Sequence, residues 1–578
     1  MGSRKLTRVV GLWKTTAPLN VGGIMKSFLL DFAVLMGLAT PHVAQSETAV
    51  TFERFEYVGR DPTYDLPDTQ PRGYRNPILA GYYPDPSVTR VDDTYYLVNS
   101  TFAHWPGIPI HASADLVHWK LIGHALSDPS KVRFDGLGIS RGVFAPSIHF
   151  HKGIYYVINT LVDAGGNFFV TAKNPAGPWS DPVWLGEIDG IDPSFFFDDN
   201  GKAYIVNNGP PESAPLYDGH RAIWIQEFDL AANKLVGPRK VIVNGGVDLA
   251  KKPIWIEGPH LYRINGWYYL MCAEGGTEAG HSEVIFRSKS LSGPFEPGPN
   301  NPILTQRDLP RDRANPVTNA GHADLIEMKD GSWWAVFLAS RPYSGFRYNT
   351  GRETFLLPVT WKDGWPMILE PGKPVPYVSI GPATMPRGKV SPVRDPLSGN
   401  FTRTEEFAGV LGPEWIQVHV PKTKWYELRD GALRITPLPV GLGDKRNPSF
   451  LARRQSHLNF DASTDLTLPR APGISAGLAV FQNETHWYFL GTRHDAGGSQ
   501  VFLERSAGKN QQFFGAPLAT TTRSLRLRIS ATGASYSFFY DAGQGWKALR
   551  ENDDGSILST EVAGGFVGTV LGPFARQE

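Results

Sequence analysis

The chain has 578 residues, more than one hydrophobic core usually organises, so at least two domains are expected. Its 57 Lys+Arg against 56 Asp+Glu leave no charge surplus that would favour nucleic acid or an anionic membrane surface. Aromatic residues make up 12%, and 61 Gly and 47 Pro punctuate the chain, a composition that points to turn-rich β-structure.

Residues 1–46 read as an export-signal region, with Met25 as the natural start. From there Lys26 precedes the apolar stretch FLLDFAVLMGLA, which Asp31 interrupts, and Ala44-Gln45-Ser46 supplies the small residues of a cleavage site. Such a segment predicts a periplasmic or extracellular protein. The stretch is too short to span a bilayer comfortably, and no membrane partner is expected. Residues 47–72 are polar and proline-containing, and are expected to wrap the domain that follows.

Over 73–366 one pattern recurs five times. A short turn (YPDPSVT, FAPSIHF, IDPSFFF, IEGPHLY, GHADLIE) runs into an aromatic strand (TYYLVNST, IYYVINT, AYIVNNG, WYYLMCAEGG, SWWAVFLASR). The interval fits a four-stranded propeller blade, and five blades close a ring. A second mark recurs in SADLVHWK, TAKNPAGPWSDP and RSKSLSGPFEP, read as later strands and turns of successive blades. The single cysteine, Cys272, excludes an intrachain disulfide and reads as a buried strand residue. Residues 367–400 are crowded with proline and glycine and suit an extended linker. From 401 to 578, segments such as DLTLPR and SLRLRISATGASYSFFYD alternate apolar and polar residues and predict a β-sandwich. The expected class is therefore all-β: a five-bladed propeller, then a sandwich.

The residues opening the five turns read as Asp85, Ala145, Asp192, Glu257 and His322, and the ring brings them together on its axis. Glycoside hydrolysis needs one carboxylic acid to protonate the leaving oxygen and one carboxylate to act on the opposite face. A third charged group commonly tunes the acid. Asp-Pro and Glu-Gly-Pro are also ordinary turn formers, so each acid alone says little. Three in one register is the informative pattern.

The segments NPILAGYYPDPS, GIDPSFFFDDNGKAYIV, IEGPHLYRINGWYYL, GHADLIEMKDGSWWAVFLASRP and GRETFLLPVTW, in this order, resemble glycoside hydrolase family 43. The part from 401 onward resembles the concanavalin-like sandwich appended to its β-xylosidases. The resemblance implies Asp85 as general base, Glu257 as general acid and Asp192 as the group that raises the acid's pKa. It implies inversion, with base and acid about 6.5–9.5 Å apart. It places Arg341 in the sugar pocket and Phe102 on its wall. Phe144 stands where related enzymes often carry Trp, and Ile191 where an aromatic is common. His322 matches a channel histidine that contacts calcium in some members, or else is a structural histidine; no cofactor is needed for the chemistry. Glu353 is either a neighbour of this cluster or half of a salt bridge.

The implied activity is exo-hydrolysis of β-1,4-xylo-oligosaccharides from the non-reducing end. An α-L-arabinofuranosidase is the alternative, and a non-catalytic carbohydrate-binding propeller the alternative of another class. A sandwich loop near Asn510-Gln511-Gln512 is expected to close one end of the pocket, and a homo-oligomer is expected from the family's habit.

Overall fold

The structure, a computed structural model, describes residues 49–68, 70–386, 396–469 and 471–578. The export-signal region predicted at 1–46 lies outside these residues.

Five antiparallel sheets form the propeller. Their inner strands are Ser87–Val91, Ser147–His151, Ile191–Phe197, Glu257–Ile264 and Thr318–Glu327, in blades 1 to 5. Each pairs with the aromatic strand that follows it, for example Val88 opposite Leu97 and Leu261 opposite Leu270. The second sequence mark falls between the third and fourth strands of blades 1, 2 and 4. Aromatic and β-branched side chains suit these strands because they fill the gaps between facing sheets. Cys272 is fully buried among Val206, Ile223, Leu270 and Val284.

The second domain is a two-sheet sandwich. Its outer sheet shows strict alternation: Phe460, Ala462 and Leu466 of Asn459–Thr467, and Leu525, Leu527 and Ile529 of Ser524–Thr532, point into the core. The central strand of the other sheet, Ile474–Asn483, is buried on both faces, and its stretch Ala476–Phe481 accordingly reads as a continuous apolar run. Leu478 and Val480 face the sandwich core. Ala479 and Phe481 join Phe102, Trp105, Phe134 and Val143 of the propeller in one cluster. Propeller residues His104–Trp105 pair with Ile416–Val418 and so extend this sheet by one strand.

One expectation about organisation needs correction. Residues 47–72 do not simply wrap the propeller. Val50–Gly59 is a strand of the sandwich, lying between Ala432–Ile435 and Asn459–Thr467. Its alternating Val50, Phe52, Phe55 and Tyr57 fill the sandwich core. The described part of 367–400 packs against the rest of the chain. Val378–Ile380 pairs with Gly73–Arg75, and Val375 and Met385 are buried.

Candidate active site

Strand pairing sets the register of the five turns. Ser87, Ser147, Ser194, His260 and Asp324 occupy equivalent places opposite Val98, Ile158, Val206, Met271 and Val336. Two residues earlier in each blade stand Asp85, Ala145, Asp192, Gly258 and His322. The fourth-blade equivalent is thus Gly258, and Glu257 comes one residue before it, which corrects the predicted register. Asp85, Asp192, Gly258 and His322 all adopt left-handed φ, between 51° and 56°. For the three with side chains this costs about 1 kcal/mol each, held by the surrounding sheet. At Gly258 a Cβ would lie 2.9 Å from His322 Nε2, so a side chain is excluded there and the acid is displaced to the neighbouring position.

Below this layer two groups of hydrogen-bonded side chains fill the axis. Asp324 accepts from Ser87 Oγ at 2.8 Å and from the Tyr262 hydroxyl at 2.6 Å. Ser147 and Ser194 lie 3.1 Å apart, and Ser194 Oγ lies 3.3 Å from His260 Nδ1. These bonded side chains form the floor of the layer above.

A cavity of about 610 Å³ opens above it, lined by Asp85, Asp192, Glu257, His322, Phe102, Phe144 and Ile191 among others. All three carboxyls are buried and their electrostatics diverge. Burial pushes Asp85 up, but Arg352, His322 and the Ser100 hydrogen bond outweigh it and hold the group below its ordinary value. Arg352 Nη1 donates to Asp85 Oδ1 at 2.9 Å and the Ser100 hydroxyl to Oδ2 at 2.5 Å. Burial, then the Asp85 charge, raises Asp192 from 3.8 to about 7. Burial, then Asp192 and Asp85, holds Glu257 well above the ordinary range. Asp192 Oδ2 accepts the Gly258 N–H at 3.2 Å, which ties the second carboxylate to the turn that carries Glu257.

Arg341, expected in the pocket, is elsewhere. It is 1% exposed, donates to both oxygens of Glu353 and to Asp61, and does not line the cavity. Glu353 is therefore its salt-bridge partner, at 2.6 Å. Side chains alternate along a strand, so the residue before Glu353 faces the other way. That residue, Arg352, reaches the cavity and holds Asp85. The motif GRETF carried the signal, one position from Glu353.

The sandwich contributes Phe566 rather than a loop near Asn510, which begins the strand Asn510–Pro517. Phe566 stacks on Phe102 with centroids 5.8 Å apart, and Phe144 meets Phe102 edge-on at 5.2 Å. The Phe566 N–H donates to Ser140 Oγ at 3.0 Å. Gly565 makes this approach feasible, since a Cβ there would lie 2.2 Å from that same oxygen. Arg221 and Trp255 complete the rim, with the guanidinium 5.2 Å from the indole centroid.

Calcium takes six to eight oxygen ligands, waters among them, so an ion at His322 would draw most of its shell from water. His322 has Asp85 Oδ1 at 3.9 Å, and both oxygens of that carboxylate already accept from Arg352 and Ser100. Among the described residues no group of three or more His, Cys, Asp or Glu is placed to hold a metal. Burial drives His322 down to about 4, so the imidazole is neutral at working pH.

Residues 74–366 match the family described as glycosyl hydrolases family 43, and 404–578 match the beta xylosidase C-terminal concanavalin A-like domain. The chain belongs to glycoside hydrolase family 43. This family-43 chain is a glycosidase acting on an oligosaccharide substrate. It is 40% identical to a xylosidase/arabinosidase of Butyrivibrio fibrisolvens, over 87% of this chain and 95% of that protein. It is 38% identical to a non-reducing end alpha-L-arabinofuranosidase of Bacteroides ovatus, over 87% and 91%. Among solved structures, a GH43_12 protein from a capybara gut metagenome superposes with TM-score 0.86 at 40% identity, covering 92% of this chain and all of that one. A xylan beta-1,4-xylosidase from Bacillus halodurans gives 0.77 at 31% identity, covering 87% and 97%.

Proposed function

We propose that the protein is an exo-acting, inverting glycosidase that removes terminal xylose from the non-reducing ends of β-1,4-xylo-oligosaccharides during xylan degradation. The observation that carries this reading is the split among three carboxyls in one cavity. Asp85 is held ionised by Arg352 while Glu257 is held protonated by burial and its acidic neighbours. Asp85 then acts as general base and draws a proton from water attacking the anomeric carbon. Glu257 acts as general acid and protonates the departing oxygen. Asp192 keeps the acid's proton affinity high. Phe102, Phe144, Phe566 and Ile191 form an apolar wall for a sugar face, and Arg352 and Arg221 offer donors to hydroxyls.

A second substrate, a terminal α-L-arabinofuranosyl unit, is favoured by the Bacteroides ovatus relative's name. Proton NMR of the products from xylobiose and from an arabinofuranosyl-xylo-oligosaccharide separates the two, with Glu257→Ala as control. Initial α-xylose from xylobiose, lost in the variant, is the expected result. Arabinose release alone moves the substrate to the second reading, and release of neither sugar refutes both. Among the described residues no helix is long and apolar enough to cross a membrane. The segment from Met25 to Ser46 supports export, and N-terminal sequencing of secreted protein tests it. A homo-oligomer is part of the proposal, tested by light scattering.

A further inference from the structure

Arg454 ends the sandwich strand Ser449–Arg454, and its side chain enters the first propeller blade, 6% exposed. Nε donates to the Tyr82 carbonyl at 2.7 Å, and the guanidinium lies 4.3 Å from the Tyr83 ring centroid and 5.5 Å from that of Tyr82. Nη1 and Nη2 are buried with no hydrogen-bond partner, and among the described residues no carboxylate pairs with it. The preceding arginine shows the ordinary solution, since Arg453 is paired with Glu414 at 3.2 Å.

The surroundings are equally unusual. Both ring nitrogens of His104 and of His111, Nε2 of His124 and the Tyr82 hydroxyl are buried without partners. Burial, and then the Arg454 charge, lowers all three histidines to about 3, so they are neutral. The ring of His104 lies 5.3 Å from Tyr82 and that of His111 5.3 Å from Tyr83, which places them around the guanidinium's own ring contacts. Among the nest's own side chains Arg454 carries the one formal charge, positive and without a paired carboxylate, amid a surplus of N–H and O–H donors; the Asp85 and Arg352 charges that also act on Tyr82 are paired with each other. Burying such a cation alone is strongly unfavourable. A neutral water would satisfy donors but not the charge. A divalent oxyanion would overcompensate a single guanidinium.

We propose that this nest binds one small monovalent anion, chloride, between Arg454 Nη1 and Nη2 and donors from Tyr82 and the histidines. The site lies one side chain behind the catalytic cavity, because Tyr82 stacks on Phe102 with centroids 6.2 Å apart.

The test is thermal unfolding of the full chain in sodium chloride, sodium bromide or sodium gluconate at equal ionic strength. Gluconate, a bulky organic anion, serves as the non-halide control. Chloride and bromide should raise Tm saturably, by about 2 °C or more at concentrations well above Kd, while gluconate does not. Arg454→Met should abolish the difference. Crystals of the wild-type chain grown in bromide should show an anomalous peak beside Arg454, a result that does not depend on the variant folding. Equal Tm in all three salts, a halide effect that survives Arg454→Met, or a bromide crystal without that peak would overturn the proposal.

Discussion

Asp192→Asn isolates the cost of the site's electrostatics. In the folded protein the Asp192 carboxyl is raised from 3.8 to about 7, first by burial and then by Asp85. Three units correspond to about 4 kcal/mol against the ionised form. Below the unfolded pKa both states are protonated and nothing is lost. As pH rises from about 4 to about 7 only the unfolded chain releases the proton, so wild-type stability falls across that window and is level above it. Asparagine keeps an acceptor for the Gly258 N–H and never ionises. The variant should match wild type near pH 4 and gain progressively to about pH 7. The plateau should be about 1–4 kcal/mol, because part of the penalty belongs to the mutual repulsion with Glu257 and Asp85. Melting curves at pH 4.5, 6 and 8 measure this. The same variant should lose activity, since Glu257 loses the neighbour that raises it, and the alkaline limb of kcat/KM should move toward acid. A variant that melts below wild type at pH 8, or a difference that ignores pH, would refute the reasoning.

Four further outcomes are expected. Glu257→Ala should lose about 10²–10⁴-fold in kcat on xylobiose and far less on a dinitrophenyl glycoside, whose leaving group needs no proton; kinetics on both substrates check it. Arg352→Met removes the charge that depresses Asp85, so the acidic limb of the pH–rate profile should move upward together with a loss of kcat. Arg341→Met should destabilise the fold by about 3–5 kcal/mol, leaving Glu353 and Asp61 buried and unpaired, while any folded fraction keeps its KM; melting and kinetics test both halves. Phe566→Ala should raise KM several-fold with a smaller change in kcat, because it removes one wall of the cavity and leaves the carboxyls in place.

The blades were legible because each repeats a turn and an aromatic strand within one short stretch of chain. The three acids were legible for the same reason. The register of Glu257 was misread because Glu-Gly-Pro looks like Asp-Pro until pairing with Met271 fixes Gly258 at the equivalent place. Arg341 and Arg352 are alike in sequence terms. What separates them is Asp61, whose contact with Arg341 spans 280 positions that local pattern cannot reach. Phe566 was missed because its role depends on docking between domains, through Ser140 across 426 positions. VTFERFEYVG alternates as a strand should, but nothing local says which sheet receives it.

That last strand has a consequence for biosynthesis. Val50–Gly59 leaves the ribosome early, yet its partner Asn459–Thr467 follows about 400 residues later. At ~5–20 residues per second it waits about 20–80 s without its neighbours. Throughout that interval an apolar, edge-competent segment is exposed at the front of the nascent chain. Escort during synthesis is then a requirement of the topology, and a bulky fusion ahead of Val50 would burden assembly of the last domain more than folding of the adjacent propeller.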